Sequence, residues 1–472
     1  MLTYSLQKGG AKPLYAQLYE SIRDDIAAGR LSAGERLPSR RALAAHLGIS
    51  LATVDSAYAQ LEAEGYLHAK ARSGFTVCAI GTPPAALPAP QPPVPPEVER
   101  TPLLPLSGGG ADSAFPFSVW AKTVREVMSS RGQALLRPAD NRGVPELREA
   151  IAGHLRHARG LSVSPEQILV GAGNEYLYGL IVQLLGRGAL YAVEDPCHRQ
   201  IARVYAAQGA QLCPLPLDGE GLRLDALRRC GAQIAHISPA HHFPTGIVMP
   251  IRRRNEMLHW ANAAPGRHIV EDDYDSELRH SGQPLPPLFS LDAGGRVIYV
   301  STFSQTLAPS LRVAYLCLPP SLLAEYRERL GFYACTVPSL EQYALARFIA
   351  SGDYERHLNR LRKRCRDRRD ALLAAIAAGP LRERCEVVEN GAGTHFLLRL
   401  KTARPDAELK AAAARRGLAL QFLSDYRICT PVESGALVFQ YANLSPQEAQ
   451  EALSRLAALL DEEKIGKSEK KT

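Results

Sequence analysis

The 472-residue chain has no uninterrupted apolar run long enough to cross a membrane, and its opening "MLTYSLQKGG" lacks the apolar core of a signal peptide. Its nine cysteines are scattered singly, with neither a CxxC pair nor zinc-ligand spacing. That pattern argues against a disulfide scaffold or a structural zinc site, and it predicts reduced thiols in a soluble, cytoplasmic protein. No internal repeat is present, which sets aside solenoids and propellers. What the chain does have is ordinary globular composition, 46% apolar and 22% charged. Its length predicts two or three domains. A net charge of +8 mildly favours an anionic partner such as nucleic acid, although part of the excess sits in the closing "EKIGKSEKKT".

Proline is concentrated in one place. "PPAALPAPQPPVPPEVERTPLLP" favours extended polyproline II and prevents a packed core, so residues 81–106 read as a semi-rigid linker. Residues 1–80 form one domain before it, residues 107–462 a larger one after it, and residues 463–472 a basic disordered tail. In the larger part, helical periods alternate with the short apolar strings "QILVGAG", "ALYAVEDP", "QIAHISP", "HIVEDDY" and "RVIYVST". Such alternation predicts a mostly parallel sheet covered by helices.

In the first domain, Leu14, Leu18, Ile22 and Ile26 share one helical stripe that ends at Gly29. Ser39 then caps a short helix that stops at Gly48, and Ser50 caps the next, whose Val54, Tyr58 and Leu61 face inward. "YLHAKARSGFTVC" gives two strands joined through Ser73-Gly74. Helix, turn, helix and hairpin make the plan of a winged helix-turn-helix. The string "GRLxxGxRLPSRRALAxxLGISxxTV", followed by "AYxxLxxEGYL", resembles the GntR family of bacterial regulators nearly end to end. The resemblance implies binding to double-stranded DNA, with Ser39 and Arg41 beside it and Ser50 and Thr53 meeting phosphate or base edges. The domain holds nine Lys/Arg against seven Asp/Glu. Arg40, Arg41, Lys70 and Arg72 therefore carry most of the electrostatic contact. Two features depart from easy DNA binding: Leu51 stands where the family usually has arginine, and Asp55 faces the same way as the contacts.

In the second domain, "NRGVPELREAIAGHLRHARG" and "ILVGAGNEYLYGLIVQLL" resemble the opening of a fold-type I aminotransferase. Gly171, Gly173 and Asn174 fall at a strand-to-helix turn that can hold a phosphate, though a tight structural turn explains them almost as well. The resemblance implies stacking on the cofactor ring at His198, which is equally readable as a surface histidine. It also leaves His241 to Phe243, in "SPAHHFPTGIVMP", near that ring. In "IVEDDYDSELR" it assigns Asp272 to a pyridinium nitrogen and Tyr274 to the phenolic oxygen of pyridoxal phosphate; a solvated acidic loop is the alternative. "STFSQTLAPSLR" matches the family's lysine motif at every constrained position but one. Thr302, Ser304 and Arg312 are its phosphate ligands, and Gln305 stands where the motif has the lysine that binds the cofactor covalently. Glutamine has no nucleophilic amine. Ala172 also replaces a usual serine in the phosphate turn. Arg427 is a candidate for holding a substrate carboxylate. The run "SGDYERHLNRLRKRCRDRRDALLAAI" reads as a long basic amphipathic helix, either a solvated face or a second DNA contact.

Head, linker and body together resemble the MocR/GabR class of bacterial transcription regulators. The expected fold is multidomain α/β: a winged helix-turn-helix, then a fold-type I transferase-like domain with a small C-terminal α+β subdomain. The resemblance implies a homodimer, head-to-tail, whose body senses a small-molecule effector, an amine or a vitamin B6 compound. Pyridoxal phosphate, if bound, would be held without a covalent bond, and the protein would not be an enzyme. A body that binds nothing and a DNA-tethered aminotransferase remain the other two readings.

Overall fold

The computed structural model describes residues 2–9, 12–70, 74–81, 103–106, 115–280, 285–389, 391–442 and 444–468, with the side chains of 462–468 left out. Arg72, Ser73, most of the proline-rich stretch and the final four residues lie outside these. The chain divides into two compact units, Met1–Val98 and Glu99–Thr472. No described helix is long and apolar enough to cross a membrane, and no cluster of His, Cys, Asp or Glu among the described residues could hold a metal.

The first unit is built of α1 (Leu14–Ala27), α2 (Arg40–Leu47), α3 (Leu51–Ala63) and the antiparallel strands β1 (Leu67–Lys70) and β2 (Gly74–Val77). Both serine caps form as the sequence requires. Ser39 Oγ accepts the Ala42 N–H at 3.2 Å, and Ser50 Oγ accepts the Thr53 N–H at 3.1 Å. Gly48 ends α2 in the left-handed conformation that glycine adopts most readily. Leu18, Ile22 and Ile26 are buried against Leu43, Val54, Tyr58 and Leu61, whereas Leu14 stays half-buried at the start of the stripe.

The second unit holds an eight-stranded sheet of β4 (Ile168–Gly171), β5 (Leu190–Asp195), β6 (Gln211–Asp218), β7 (Gly221–Leu222), β8 (Ile234–Ile237), β9 (His268–Asp273), β10 (Val297–Thr302) and β11 (Ala314–Cys317). The spatial order is β4-β11-β10-β9-β8-β5-β6-β7, parallel from β10 through β6, with β11 and β7 antiparallel to their neighbours. Helices bury both faces. Along β10, Ile298 and Val300 enter one core and Tyr299 enters another. Strand β6 escapes the strand pattern because Pro214 and Pro216 interrupt it. Two residues apart, their missing N–H groups fall on one side of the strand, and β6 has β5 along its length but only two-residue β7 beyond.

The C-terminal subdomain sets a three-stranded antiparallel sheet, β12 (Cys385–Val388), β13 (His395–Leu400) and β15 (Ala436–Gln440), against the helices Asp353–Ala378 and Pro446–Ser468. Two expected boundaries move. Leu104–Pro105, assigned above to the linker, form β3, which pairs in parallel with β14 (Leu418–Ala419), and Leu106 is fully buried in this subdomain's core. An apolar Leu-Leu-Pro-Leu end outweighs proline's preference for an extended, solvated chain. The last helix continues to Ser468, past the expected start of the tail at 463, because Glu and Lys propagate a helix well.

One buried ion pair ties the sheet to a helix. Arg159, at the end of Pro145–Arg159, donates to Asp273 at 2.6 Å, and both side chains are at least 98% buried. Removing one partner leaves a buried charge uncompensated. Arg159→Ala is therefore expected to cost about 3–5 kcal/mol of the body's stability. The measurement is the denaturant midpoint of the full chain, and an unchanged midpoint refutes the pair's role.

Candidate functional site

In the head, the candidate contacts cluster at the N-termini of α2 and α3. The Tyr58 phenol donates to the Pro38 carbonyl at 3.1 Å, pinning the start of α2 to the middle of α3. Ser39 and Ser50 act first as caps, and the Ser50 and Thr53 hydroxyls lie 2.8 Å apart. Arg40 is not free as expected. Its guanidinium sits 3.2 Å from Asp55 and over the Phe75 ring, so the carboxylate that would repel DNA is neutralised from within. Both partners are substantially exposed, and exposed pairs contribute little, so Arg40 can exchange Asp55 for a phosphate. Arg41 and Lys70 are exposed, as is Leu51.

In the body, a cavity of about 530 Å³ opens at the carboxyl ends of β5, β8, β9 and β10, the usual ligand position in an open α/β sheet. Nine residues singled out from sequence line it: Asn174, His198, Phe243, Asp272, Tyr274, Thr302, Ser304, Gln305 and Arg312. They come from six separate segments that lie at strand ends, all of them at or after one except Arg312, which stands just before β11. Among the described residues, no lysine lines this cavity.

Asp272 is the penultimate residue of β9 and only 5% exposed. Its Oδ2 accepts from the Tyr178 phenol at 2.6 Å and lies 3.5 Å from His236 Nε2, while its Oδ1 has no partner among the described residues. Behind it, His236 Nδ1 meets the Tyr205 hydroxyl at 2.7 Å. Asn174 donates to the Tyr178 hydroxyl at 3.2 Å, and its own Oδ1 is left open. Two buried acceptors beside a cavity are where a ring N–H and a ligand hydroxyl can bind. Burial pushes the Tyr274 phenol well above its ordinary range, so it remains a donor. Its hydroxyl lies 3.3 Å from His241 Nδ1, which itself meets Asp275 at 2.8 Å. His241 thus positions Tyr274 and does not line the cavity, whereas Phe243 does.

The other titratable groups are set by burial. Burial lowers His198, partly opposed by Asp272 and Glu175, leaving a neutral imidazole with its ring 5.7 Å from Phe243. Burial pushes Glu194 up to about 8, with Asp272 adding to the effect and the Ser238 N–H opposing it. Glu194 therefore keeps its proton at neutral pH.

At the phosphate end, Gly173 has φ 93° and precedes the helix Asn174–Leu185. It lies beneath the guanidinium, not in the lining: a Cβ there would stand 2.2 Å from Arg312 Nη2, so only glycine lets the guanidinium pass. Arg312, at φ 52°, is the one non-glycine residue with positive φ among the described residues. Strain of that kind costs of order 1–3 kcal/mol and clusters at ligand sites. The Thr302 hydroxyl donates to Ser304 Oγ at 3.0 Å and accepts the Ser304 N–H at 3.1 Å.

Arg427 is a correction. It is exposed and lies outside the lining, while its neighbour Tyr426 is in it. The loop turns there to deliver the N–H groups of Ile428, Cys429 and Thr430 to the Asp195 carboxylate at 2.7, 2.8 and 2.6 Å. Tyr178, His236, Glu175, Gln421 and Tyr426 were missed from sequence. Tyr178 alone carried a signal, standing four residues after Asn174 and hence on the same helix face. A separate groove of about 660 Å³ holds the His154–Glu277 pair at 2.7 Å and none of the predicted site residues.

Comparison with known proteins agrees with both halves. Residues 14–77 match the model of bacterial regulatory proteins of the gntR family, and residues 107–456 match aminotransferase class I and II. The chain is 32% identical to the probable rhizopine catabolism regulatory protein MocR of Rhizobium meliloti, over 96% of this chain and 94% of that one. It is 34% identical to the pyridoxine biosynthesis transcriptional regulator PdxR of Corynebacterium glutamicum, over 90% and 91%. The multiple substrate aminotransferase of Thermococcus profundus superposes on 78% of this chain and 93% of its own, at 26% identity and a TM-score of 0.69.

Proposed function

The chain belongs to the MocR-type family of DNA-binding transcription regulators, with a GntR head and an aminotransferase-like body, and we propose that this body is a sensor and not an enzyme. The ligand is a small amine or amino acid or a vitamin B6 compound, held without a covalent bond. The regulator works as a head-to-tail homodimer in the cytoplasm, and ligand binding in the body resets the heads on paired DNA sites.

One observation carries this reading: the cavity keeps open acceptors at Asp272 and Asn174 and a cation at Arg312, yet presents Gln305 where the family motif has its lysine. Pyridoxal phosphate, when bound, supplies an electron-poor ring and an aldehyde. Asp272 Oδ1 would accept the ring N–H, oriented by the Tyr178 phenol. Tyr274 would donate to the ring oxygen, and His198 and Phe243 would cover the ring. Arg312, Thr302 and Ser304 would face the phosphate. Gln305 can hydrogen-bond but cannot attack a carbonyl or carry a proton between carbons. Binding without turnover follows.

Titration of the full-length protein with pyridoxal phosphate tests the reading. Binding is expected to be saturable, reversed by dialysis and not fixed to the chain by borohydride. A reduced adduct in the cavity that survives denaturation contradicts the non-covalent mode. Absence of binding by any B6 compound at high concentration overturns the sensor in favour of a body that only pairs the heads.

A further inference from the structure

The phosphate end of the cavity already contains an anion. Glu175 Oε2 lies 2.5 Å from Arg312 Nη2, across 137 residues of sequence. Glu175 also stands in the first turn of the helix Asn174–Leu185, where the helix dipole and free N–H groups favour negative charge. Burial raises its carboxyl, but the Arg312 guanidinium and Glu175's own backbone N–H together bring it below the ordinary range. Two further donors of the turn are engaged too. The Ala172 N–H donates to Thr336 Oγ1 at 3.0 Å, and the Gly173 N–H donates to the Gly171 carbonyl at 2.8 Å. Alanine at 172 supplies no hydroxyl in exchange. A carboxylate thus satisfies the guanidinium that a phosphate would use, while the ring end keeps the open, nine-tenths-buried acceptor of Asp272.

We propose that Glu175 is an internal stand-in for phosphate, so that the cavity accepts an unphosphorylated ligand nearly as readily as its phosphorylated counterpart. A phosphate entering the cavity must displace Glu175 from Arg312 and then sit beside the displaced carboxylate. An unphosphorylated ring ligand leaves the pair intact. Glu175 thereby sets specificity at the end of the pocket remote from the ring.

This inference rests on the sensor reading for the identity of the ring, and the experiment separates the two. The full-length protein and Glu175→Gln are titrated by calorimetry with pyridoxal, pyridoxal phosphate and inorganic phosphate. Glu149→Gln, an exposed carboxylate lining a different surface groove, controls for charge removal in general. In the wild type the two vitamers should bind within about tenfold of each other. For a pair exposed to this degree, removing the charge predicts that Glu175→Gln tightens pyridoxal phosphate and inorganic phosphate by about two- to fivefold and leaves pyridoxal unchanged. The proposal is overturned if the vitamer ratio stays constant, if pyridoxal gains as much, or if Glu149→Gln has the same effect. Should neither vitamer bind any of the proteins, the sensor reading fails for B6, and inorganic phosphate alone decides. Tighter phosphate binding in Glu175→Gln then upholds the role of Glu175, and equal or absent binding refutes it.

Discussion

Replacing Gln305 by lysine is expected to give a protein that turns yellow with pyridoxal phosphate and keeps the cofactor through borohydride reduction and denaturation. The wild type should do neither. Gln305 is half-buried in the lining, flanked by Ser304 and the buried Thr306, so its backbone is held in place. Both side chains are long and unbranched. Burial lowers the pKa of an introduced amine and exposes its lone pair to the aldehyde. Asp272, Tyr274 and Arg312 stay where they are, because none of them hydrogen-bonds to Gln305. The effect is all-or-none in kind: a covalent bond that the wild type cannot form. Absorbance, followed by mass analysis of the reduced peptide around position 305, provides the measurement. A folded, colourless variant without adduct shows that the cavity has been rebuilt for a ligand lacking an aldehyde. Sustained transamination is not expected, since Ala172 and Glu175 still oppose the phosphate.

The second large effect lies in the head. Arg40→Ala with Arg41→Ala should weaken binding to every DNA sequence and flatten the salt dependence, by about one unit of slope per phosphate contact removed. Loss of Arg40 acts twice. It removes a cation and leaves Asp55, otherwise 3.2 Å from that guanidinium, bare toward the phosphates. The ratio of specific to non-specific affinity should hardly move, because phosphate contacts position and do not read sequence. Binding isotherms between about 50 and 200 mM salt test this. A slope equal to that of the wild type would sink the assignment.

Much of this was legible in the chain itself, for identifiable reasons. The caps at Ser39 and Ser50 are local: a hydroxyl two or three residues before the N–H it accepts leaves a signature in a short window. The strands that carry the site are buried on both faces and read as apolar runs. Asp272 and Tyr274 sit at the end of such a run, so their presence at the ligand edge of the sheet could be anticipated. What the chain hid is either long-range or internally contradictory. Glu175 reads as an ordinary acid in a helix's first turn until Arg312 arrives from 137 residues away. Strand β6 carries two prolines, which argue against a strand unless one edge is known to be free. Leu104–Leu106 follow a proline tract and look like its end, and only the pairing with Leu418–Ala419 makes them part of the body. Arg427 offers a charge, and charge alone does not tell which way a loop turns.

The Asp195 carboxylate fixes one wall of the cavity. Three consecutive N–H groups of residues 428–430 converge on it, and the Cys197 N–H donates to the Tyr426 carbonyl at 3.1 Å. Burial raises this carboxyl, but the three donors outweigh it and hold it below its ordinary value. Because they share one acceptor, they form a single clamp that holds Tyr426, two residues before it, at the cavity wall while Asp195 stays ionised. In acid the sign is fixed by the lowered pKa: the clamp holds above the ordinary carboxylate range and slackens only as pH falls through the depressed value. The anchor of this wall is a carboxylate on the sheet, and what it holds is three residues of backbone.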